Sequence, residues 1–410
     1  MTLQFNTLED FDYTGKTVLV RCDLNVPMSG GKVTDNTRIV RLVPTLSYLL
    51  KKKARVVVLS HFDRPGGKFV PSMSLAPLVD PLSQALGGKE VKFGVDCVGV
   101  AAEEAVKKLK NGEILLLENL RFHAEEEKGD ARFAQELASL ADIYVNDAFS
   151  ASHRAHASVS GIPKYLPSVA GRLMEEELSV LSGIFTTAKK PIAAVIGGSK
   201  ISTKLELLGN LSKTMDKILI GGAMANTFLY AQGYSVGKSI CEKNMKATAQ
   251  RILKAAKKNG CEIVLPNDLV VVSEFKTQAN CRVMDVDAIP DDGMATDVGP
   301  GSVQLFAEAL ADCKTVIWNG PIGAFEVSPF DASTIGLART IAKYTARKQL
   351  RSIAGGGDTV AALAHAGMTQ NFSYISTAGG AFLEWMEGKT LPGVAALAKT
   401  SSKAKRTRQA

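Results

Sequence analysis

The sequence predicts an α/β protein made of two doubly wound parallel-sheet domains joined by a helix, with a cleft between them. Three observations predict it. Short apolar, β-branched runs alternate with helix-like stretches along the whole chain. The length of 410 residues suits two domains, at about 100–200 residues each. The alternation pauses near 161–171, at Gly161, Pro163, Pro167 and Gly171, before an amphipathic stretch, Arg172–Phe185, that reads as a helix bridging two lobes.

In the first half the strand-like runs are Thr17–Val26, Arg55–Phe62, Ile114–Phe122 and Ile143–Phe149, with helical patterns at Thr37–Lys53, Ala101–Leu109 and Ala131–Leu140 between them. In the second half the runs are Pro191–Gly197, Lys217–Gly222, Glu262–Val272, Thr315–Trp318, Ser352–Ala354 and Ser373–Ser376. Strands that alternate with helices read as βαβ units, hence Rossmann-like sheets covered on both faces. The expected division is 1–171 for the first domain, 172–186 for the connecting helix and hinge, and 187–380 for the second domain. Residues 381–398 are expected to return to the first domain, and 399–410 to form a basic tail.

Composition sets the class. Hydrophobic residues make up 46% and charged residues 22% of the chain, ordinary for a globular protein with two sizeable cores. No apolar run approaches the roughly 18 residues of a membrane helix. The opening MTLQFNTLEDFDYTG has neither a basic start nor an apolar core, so no signal peptide and a cytoplasmic location are expected. The six cysteines form no C-x-x-C pair, so reduced, mostly buried thiols are expected and no zinc site. The last twelve residues hold five basic and no acidic side chains; without them the net charge of +8 falls to +3. The basic excess therefore sits largely in a tail, and neither a nucleic-acid nor a membrane partner is expected. With no apolar stripe calling for a second copy, a monomer is the expectation.

In open parallel sheets, ligands bind outside the carboxyl ends of the strands. After the first-half runs come Asp23 and Asn25, then His61 and Arg64, then Arg121 and His123, then Asn146 and Asp147 with Arg154 and His156 beyond; Arg38 lies near the start of the first helix. Guanidinium groups pair bidentately with carboxylate and phosphate and stay charged at any working pH. Arginines converging from separate strand ends suit a small polyanion better than scattered surface ion pairs do. After the second-half runs come glycines: Gly197-Gly198-Ser199-Lys200, Gly221-Gly222, Asn319-Gly320-Pro321, Gly355-Gly356-Gly357-Asp358-Thr359 and Ala378-Gly379-Gly380. Glycine lets the backbone approach a ligand, and free N–H groups at helix starts cradle phosphates. Lys200 and Lys204 follow the first of these loops, and Asp358 is placed to hold phosphate-bound Mg²⁺ through water.

Gly233–Ser239 (GYSVGKS) is one residue short of a Walker A loop. No G-x-G-x-x-G follows the first strand, which argues against a dehydrogenase. A nucleic-acid-binding protein finds support only in the tail, and a catalytically dead scaffold is opposed by the intact arginines, Lys200 and Asp358.

The motifs RCDLNVP (21–27), TDNTRI (34–39), SHFDRP (60–65), LENLRF (117–122), NDAFSASHRAHAS (146–158), GGSKISTKLELL (197–208), WNGPIGAFE (318–326), AGGGDTV (354–360) and STAGGAFLEW (376–385) together resemble the phosphoglycerate kinase family of bacterial type. The resemblance implies reversible phosphoryl transfer between 1,3-bisphosphoglycerate and ADP, giving 3-phosphoglycerate and ATP, with Mg²⁺. It implies that Asp23, Asn25, Arg38, His61, Arg64, Arg121 and Arg154 hold the glycerate ligand. Arg38 and Lys200 would meet the transferring group, with Gly379 and Gly380 offering backbone N–H groups. Lys204, Glu326, Gly356, Gly357, Asp358 and Thr359 would hold the nucleotide, Glu326 through the ribose, and Asp358 would be the metal residue. Four departures stand out. Asp63 stands where the family usually has Gly, and Gly301 where Lys is common. Ala378 replaces the first of three glycines, and Ala324 replaces a Val in what reads as a packing role.

Overall fold

The computed structural model describes residues 5–398, so the basic tail at 399–410 lies outside the described residues. The first unit takes in residues up to Ser182 together with the stretch from Thr390, and the second runs from Gly183 to Lys389.

In the first unit the strands are β1 (Thr17–Arg21), a short hairpin of β2 (Met28–Ser29) and β3 (Lys32–Val33), β4 (Arg55–Leu59), β5 (Val91–Gly94), β6 (Ile114–Leu117), β7 (Ile143–Asn146) and β8 (Ser168–Ala170). Six of them form one sheet in the order β5-β6-β4-β1-β7-β8, parallel throughout. Alternate residues feed opposite cores. Val18, Val20, Val56 and Val58 pack on one face, and Leu19, Val57, Leu115 and Tyr144 on the other. That period of two, with both faces apolar, is why these strands read as unbroken hydrophobic runs.

In the second unit the strands are β9 (Ile192–Ile196), β10 (Lys217–Ile220), β11 (Glu262–Val264), β12 (Asp268–Val272), β13 (Arg282–Asp285), β14 (Met294–Val298), β15 (Thr315–Asn319), β16 (Arg351–Ala354) and β17 (Tyr374–Ile375). The main sheet runs β11-β10-β9-β15-β16-β17, all parallel. Numbered within that sheet the order is 3-2-1-4-5-6, the order of dinucleotide-binding sheets. A separate antiparallel sheet, β13-β12-β14, lies beside it.

Besides β5, the β2–β3 hairpin, β13 and β14, which have no counterpart among the expected strands, the expected elements differ from this in three places. The run Glu262–Val272 is two strands in two sheets, because Pro266 has no N–H to extend a ladder and the chain turns there. The pause at 161–171 contains the edge strand β8, three residues bracketed by Pro167 and Gly171. The stretch after 381 divides into the helix Gly380–Met386, which lies with the second unit, and the turn Pro392–Ala395, which lies with the first. Gly393 donates to the Ser152 carbonyl at 2.8 Å, and Phe5 bridges to Ala398. Among the described residues no helix is long and apolar enough to cross a membrane.

The helix Arg172–Thr186 begins in the first unit and ends in the second. Its first amides find side-chain acceptors: Arg172 donates to Thr45 Oγ1 at 2.8 Å, and Leu173 and Met174 donate to Asp147 Oδ1 at 2.9 and 3.2 Å. Asp147 thus does for this helix what an N-cap does. Any Cβ on Gly171 would fall 2.3 Å from that oxygen, which fixes glycine there. Complete burial pushes the Asp147 carboxyl up to about 6. The fold therefore favours its protonated form, and this group's contribution to stability declines as pH rises from the ordinary carboxylate range through about 6.

Asp147→Ala is expected to lower unfolding stability by about 1–2 kcal/mol, the size of a lost helix cap. Asp147→Asn keeps the Oδ1 acceptor and should lose less. Urea denaturation at several pH values checks both: the difference between wild type and Asp147→Asn should move in favour of Asn between about pH 4 and pH 6.

Candidate functional sites at the two sheet edges

In the first sheet the strand order reverses between β1 and β7, and the loops at this end of the strands carry the charged rim. Asp23 follows β1 and is buried. It accepts from Arg38 Nη1 at 2.7 Å and from the Ser150 hydroxyl, and Arg38 also donates to the Asn25 carbonyl at 3.0 Å. Burial works to raise the Asp23 carboxyl; the neighbouring positive charge and the Ser150 hydroxyl outweigh it and hold the group below the usual carboxylate range. A chain of contacts then crosses to the next strands. The Asp63 amide donates to Asn25 Oδ1 at 3.0 Å, and Arg121 Nη1 donates to the Asp63 carbonyl at 2.7 Å. Arg121 also pairs with Glu127 at 3.2 Å.

Behind this surface lies a second tier, in which His61 and His156 meet Arg21, Glu126 and Ser158, three residues the sequence did not single out. Arg21, 1% exposed, meets His61 Nδ1 at 3.1 Å and donates to Ser158 Oγ at 2.9 Å. Glu126, also buried, accepts from the Ser158 amide at 2.8 Å. His156 stands 3.8 Å from Glu126. Burial first, then the like charges of Arg121, Arg21 and Arg154, push the His156 imidazole down to about 4. Burial and Arg21 likewise hold His61 well below its ordinary range. Both imidazoles are neutral at pH 7, which is the mark of a region already rich in positive charge. Arg64 and Arg154 are exposed; Arg64 lies close enough to Arg121 to act on its charge.

Asn119 sets the direction of Arg121. Its Oδ1 accepts from the amides of Arg121 and Phe62 at 3.0 and 3.1 Å, and its Nδ2 donates to the carbonyls of Phe62 and Met73 at 2.7 and 2.9 Å.

In the second sheet the crevice opens between β9 and β15, its own switch point. The Lys204 ammonium is enclosed by carbonyl oxygens there: it donates to Gly197 O at 2.7 Å, Asn319 Oδ1 at 2.7 Å and Asn319 O at 3.3 Å. Asn319 Nδ2 donates to Gly355 O at 2.8 Å, and the Gly320 amide donates to Thr359 Oγ1 at 2.7 Å. One uncharged side chain, Asn319, therefore locks Lys204, the end of β15 and the Gly355–Gly357 turn together. Gly356 has φ +98°, and a Cβ on it would meet Asn319 Nδ2 at 2.5 Å. Gly357–His365 is a helix with Asp358 exposed in its first turn. A cavity of about 510 Å³ lies over this edge, lined by Gly198, Asn226, Phe275, Ala324, Glu326 and Asp358 among others. Lys200 is exposed on the turn that follows Gly198. The helix Gly380–Met386 begins at Gly380, after Gly379 at φ +54°.

The loop that imitates Walker A is a helix end. Gly233 closes the helix Gly222–Gln232 in a left-handed conformation, and Ser239 Oγ accepts from the Ala295 amide at 2.9 Å. No strand precedes it, so its backbone has no phosphate cradle.

The family model for phosphoglycerate kinase matches residues 8–389. The chain belongs to the phosphoglycerate kinase family. It is 56% identical over 395 residues to the phosphoglycerate kinase of Granulibacter bethesdensis, covering 96% of this chain and 100% of that one. It is 58% identical over 393 residues to that of a Ruegeria species, covering 96% and 99%. Among solved structures, phosphoglycerate kinase from Coxiella burnetii superposes with a TM-score of 0.88 at 41% identity, over 97% of this chain and 100% of that one.

The structure places three of the four departures from the phosphoglycerate kinase pattern, and nothing in it explains Ala378. Asp63 has φ +53°, the left-handed region where Gly is easiest and Asp is tolerated. Its backbone supplies the contacts to Asn25 and Arg121, while its side chain is exposed. Gly301 sits in the first turn of the helix Pro300–Leu310, and its amide donates to Asp268 Oδ2 at 3.0 Å. Ala324, read from the sequence as a packing residue, lines the cavity together with Glu326.

Burial pushes the Lys204 ammonium down to about 8. The cation is therefore lost as pH rises through about 8, and with it attraction for an anionic ligand. ADP affinity measured by calorimetry should fall roughly tenfold between pH 7 and pH 9. In Lys204→Met it should be weaker at pH 7 and nearly flat across that window.

Proposed function

We propose that the arginine rim of the first sheet holds 3-phosphoglycerate or 1,3-bisphosphoglycerate, that the glycine rim of the second holds ADP or ATP, and that the chain transfers a phosphoryl group between them. The observation that carries this reading is the placement of the two rims, one at each sheet's switch point, in a chain whose family is defined by that reaction.

Asp23, Asn25, Arg38, His61, Arg64, Arg121 and Arg154 take the glycerate ligand in this reading. Arg38 retains Nη2 and Nε for the ligand while Nη1 is held by Asp23 and Asn25. The neutral imidazole of His61 presents a ring nitrogen without adding charge. Gly356, Gly357 and Thr359 shape the phosphate side of the nucleotide site, Lys204 supplies a fixed positive charge behind it, and Glu326 reaches the ribose. Asp358 suits Mg²⁺, which binds through one or two carboxylates, several waters and the substrate's phosphates; its carboxylate is exposed at the cavity and belongs to no cluster of protein ligands among the described residues. When bound, Mg²⁺ neutralises phosphate charge.

The attacking group, a phosphate or carboxylate oxygen, is already ionised near neutral pH, so no general base is required. What remains is alignment and charge stabilisation. Arg38, Lys200 and the amides of Gly379 and Gly380 would surround the phosphoryl group in transit. The helix Arg172–Thr186 is the hinge in this reading, and exclusion of water would protect the acyl phosphate. The working form in this reading is a monomer in the cytoplasm, with no membrane or nucleic-acid partner.

An assay coupling ATP consumption to added 3-phosphoglycerate tests the reaction. Arg38→Ala should lower kcat by about 10²–10³ with ADP affinity little changed; near-normal turnover would remove Arg38 from the transfer. Asp358→Asn should raise the Mg²⁺ concentration needed for half-maximal rate, and an unchanged Mg²⁺ titration would remove Asp358 from the metal site.

A further inference from the structure

The turn that follows β5 carries Asp96 and Cys97, and the segment that follows β6 carries His123, the residue before the short helix Ala124–Lys128. These positions are distant in sequence, yet β5 and β6 are neighbours in the sheet. One carboxylate oxygen, the Cys97 sulfur and one imidazole nitrogen all lie within 4.8 Å of one another. His123 Nε2 and Asp96 Oδ1 already touch at 2.7 Å. The imidazole packs on the Phe133 ring at 5.2 Å between centroids, which fixes its plane, and the Cys97 amide donates to Asp96 Oδ1 at 2.6 Å, which fixes the turn.

We propose that Asp96, Cys97 and His123 form a binding site for one divalent cation of the zinc class, separate from the Mg²⁺ that accompanies the nucleotide. A sulfur, a nitrogen and an oxygen ligand suit a borderline-soft ion, whereas Mg²⁺ takes oxygen donors. Tetrahedral bonds of about 2.0–2.3 Å place ligand atoms about 3.3–3.8 Å apart, so small rotations of these side chains complete the geometry. Three protein ligands leave a fourth position for water. Cys97 is fully buried, but Asp96 and His123 expose 43% and 29% of their side chains, so an ion can enter from their side. Burial, and then the negative charges of Asp96 and Glu126, push the Cys97 thiol well up. Those same charges favour a cation, and the thiol proton passes to solvent as the sulfur–metal bond forms. A bound ion would replace the Asp96–His123 hydrogen bond and tie the turn after β5 to the segment carrying Arg121.

Co²⁺ titration of the full chain, followed by absorption, tests this. One equivalent should produce thiolate-to-cobalt charge transfer in the near ultraviolet with the intense visible bands of four-coordinate Co²⁺. Zn²⁺ should abolish both, and excess Mg²⁺ neither. Cys97→Ser should remove the charge-transfer band, and Asp96→Asn, at a half-exposed position that spares the fold, should weaken Co²⁺ affinity by at least about tenfold. Absence of the band in wild type, its persistence in Cys97→Ser, or unchanged affinity in Asp96→Asn would each overturn the proposal; the last decides the matter if Cys97→Ser fails to fold.

Discussion

A parallel sheet delivers all its strand ends to one edge, and where the strand order reverses, the connections leave in opposite directions and cannot cover the gap. Everything functional in this chain depends on that constraint. In the first sheet the gap lies between β1 and β7, and in the second between β9 and β15. The ends of the two central strands and the loops that follow them meet at each gap, and these carry Asp23 and Asn25 in one unit and Gly197, Gly198 and Asn319 in the other. The same architecture is thereby fitted with two chemistries.

The two edges meet the problem of concentrated charge differently. The first collects guanidinium groups and keeps its histidines neutral, with Asp23 and Glu126 as partial counterweights. The second uses backbone dipoles. Lys204, its one enclosed cation among the described residues of the rim, is satisfied by carbonyl oxygens, while its burial weakens the hold on its proton. Glycine is required here where backbones nearly touch: a Cβ on Gly197 would sit 1.8 Å from the Pro321 carbonyl oxygen. The helix beginning at Arg172 is anchored by Asp147, directly after β7, so the strand that borders the first gap also fixes the start of the chain's path to the second unit.

Long central strands and rim residues were legible because their signals are local: β-branched runs of period two, then arginine or glycine. What stayed hidden is non-local or weak. β5 and β8 are short edge elements that bury few residues, and the antiparallel sheet β13-β12-β14 has exposed or half-buried positions that blur alternation. Asn119 and Asn319 lie inside recognisable motifs, but an uncharged amide gives no sign that it will accept and donate across several segments. Arg21 reads as a strand residue and turns out to be a buried cation under His61. The Asp63 backbone has positive φ, and no side-chain property reveals it. The grouping of Asp96, Cys97 and His123 depends on β5 and β6 lying side by side, which spacing in sequence cannot supply.

The central claim is that glycerate and nucleotide are gripped by different units, each at its own switch point. A crystal structure of the chain with 3-phosphoglycerate, Mg²⁺ and a non-hydrolysable ATP analogue tests it most directly. The account predicts the glycerate's acidic groups within hydrogen-bonding distance of Arg38 and Arg121, and the analogue's phosphates beside Gly356, Gly357 and Asp358. Both ligands on a single unit, or a glycerate remote from those arginines, would contradict it.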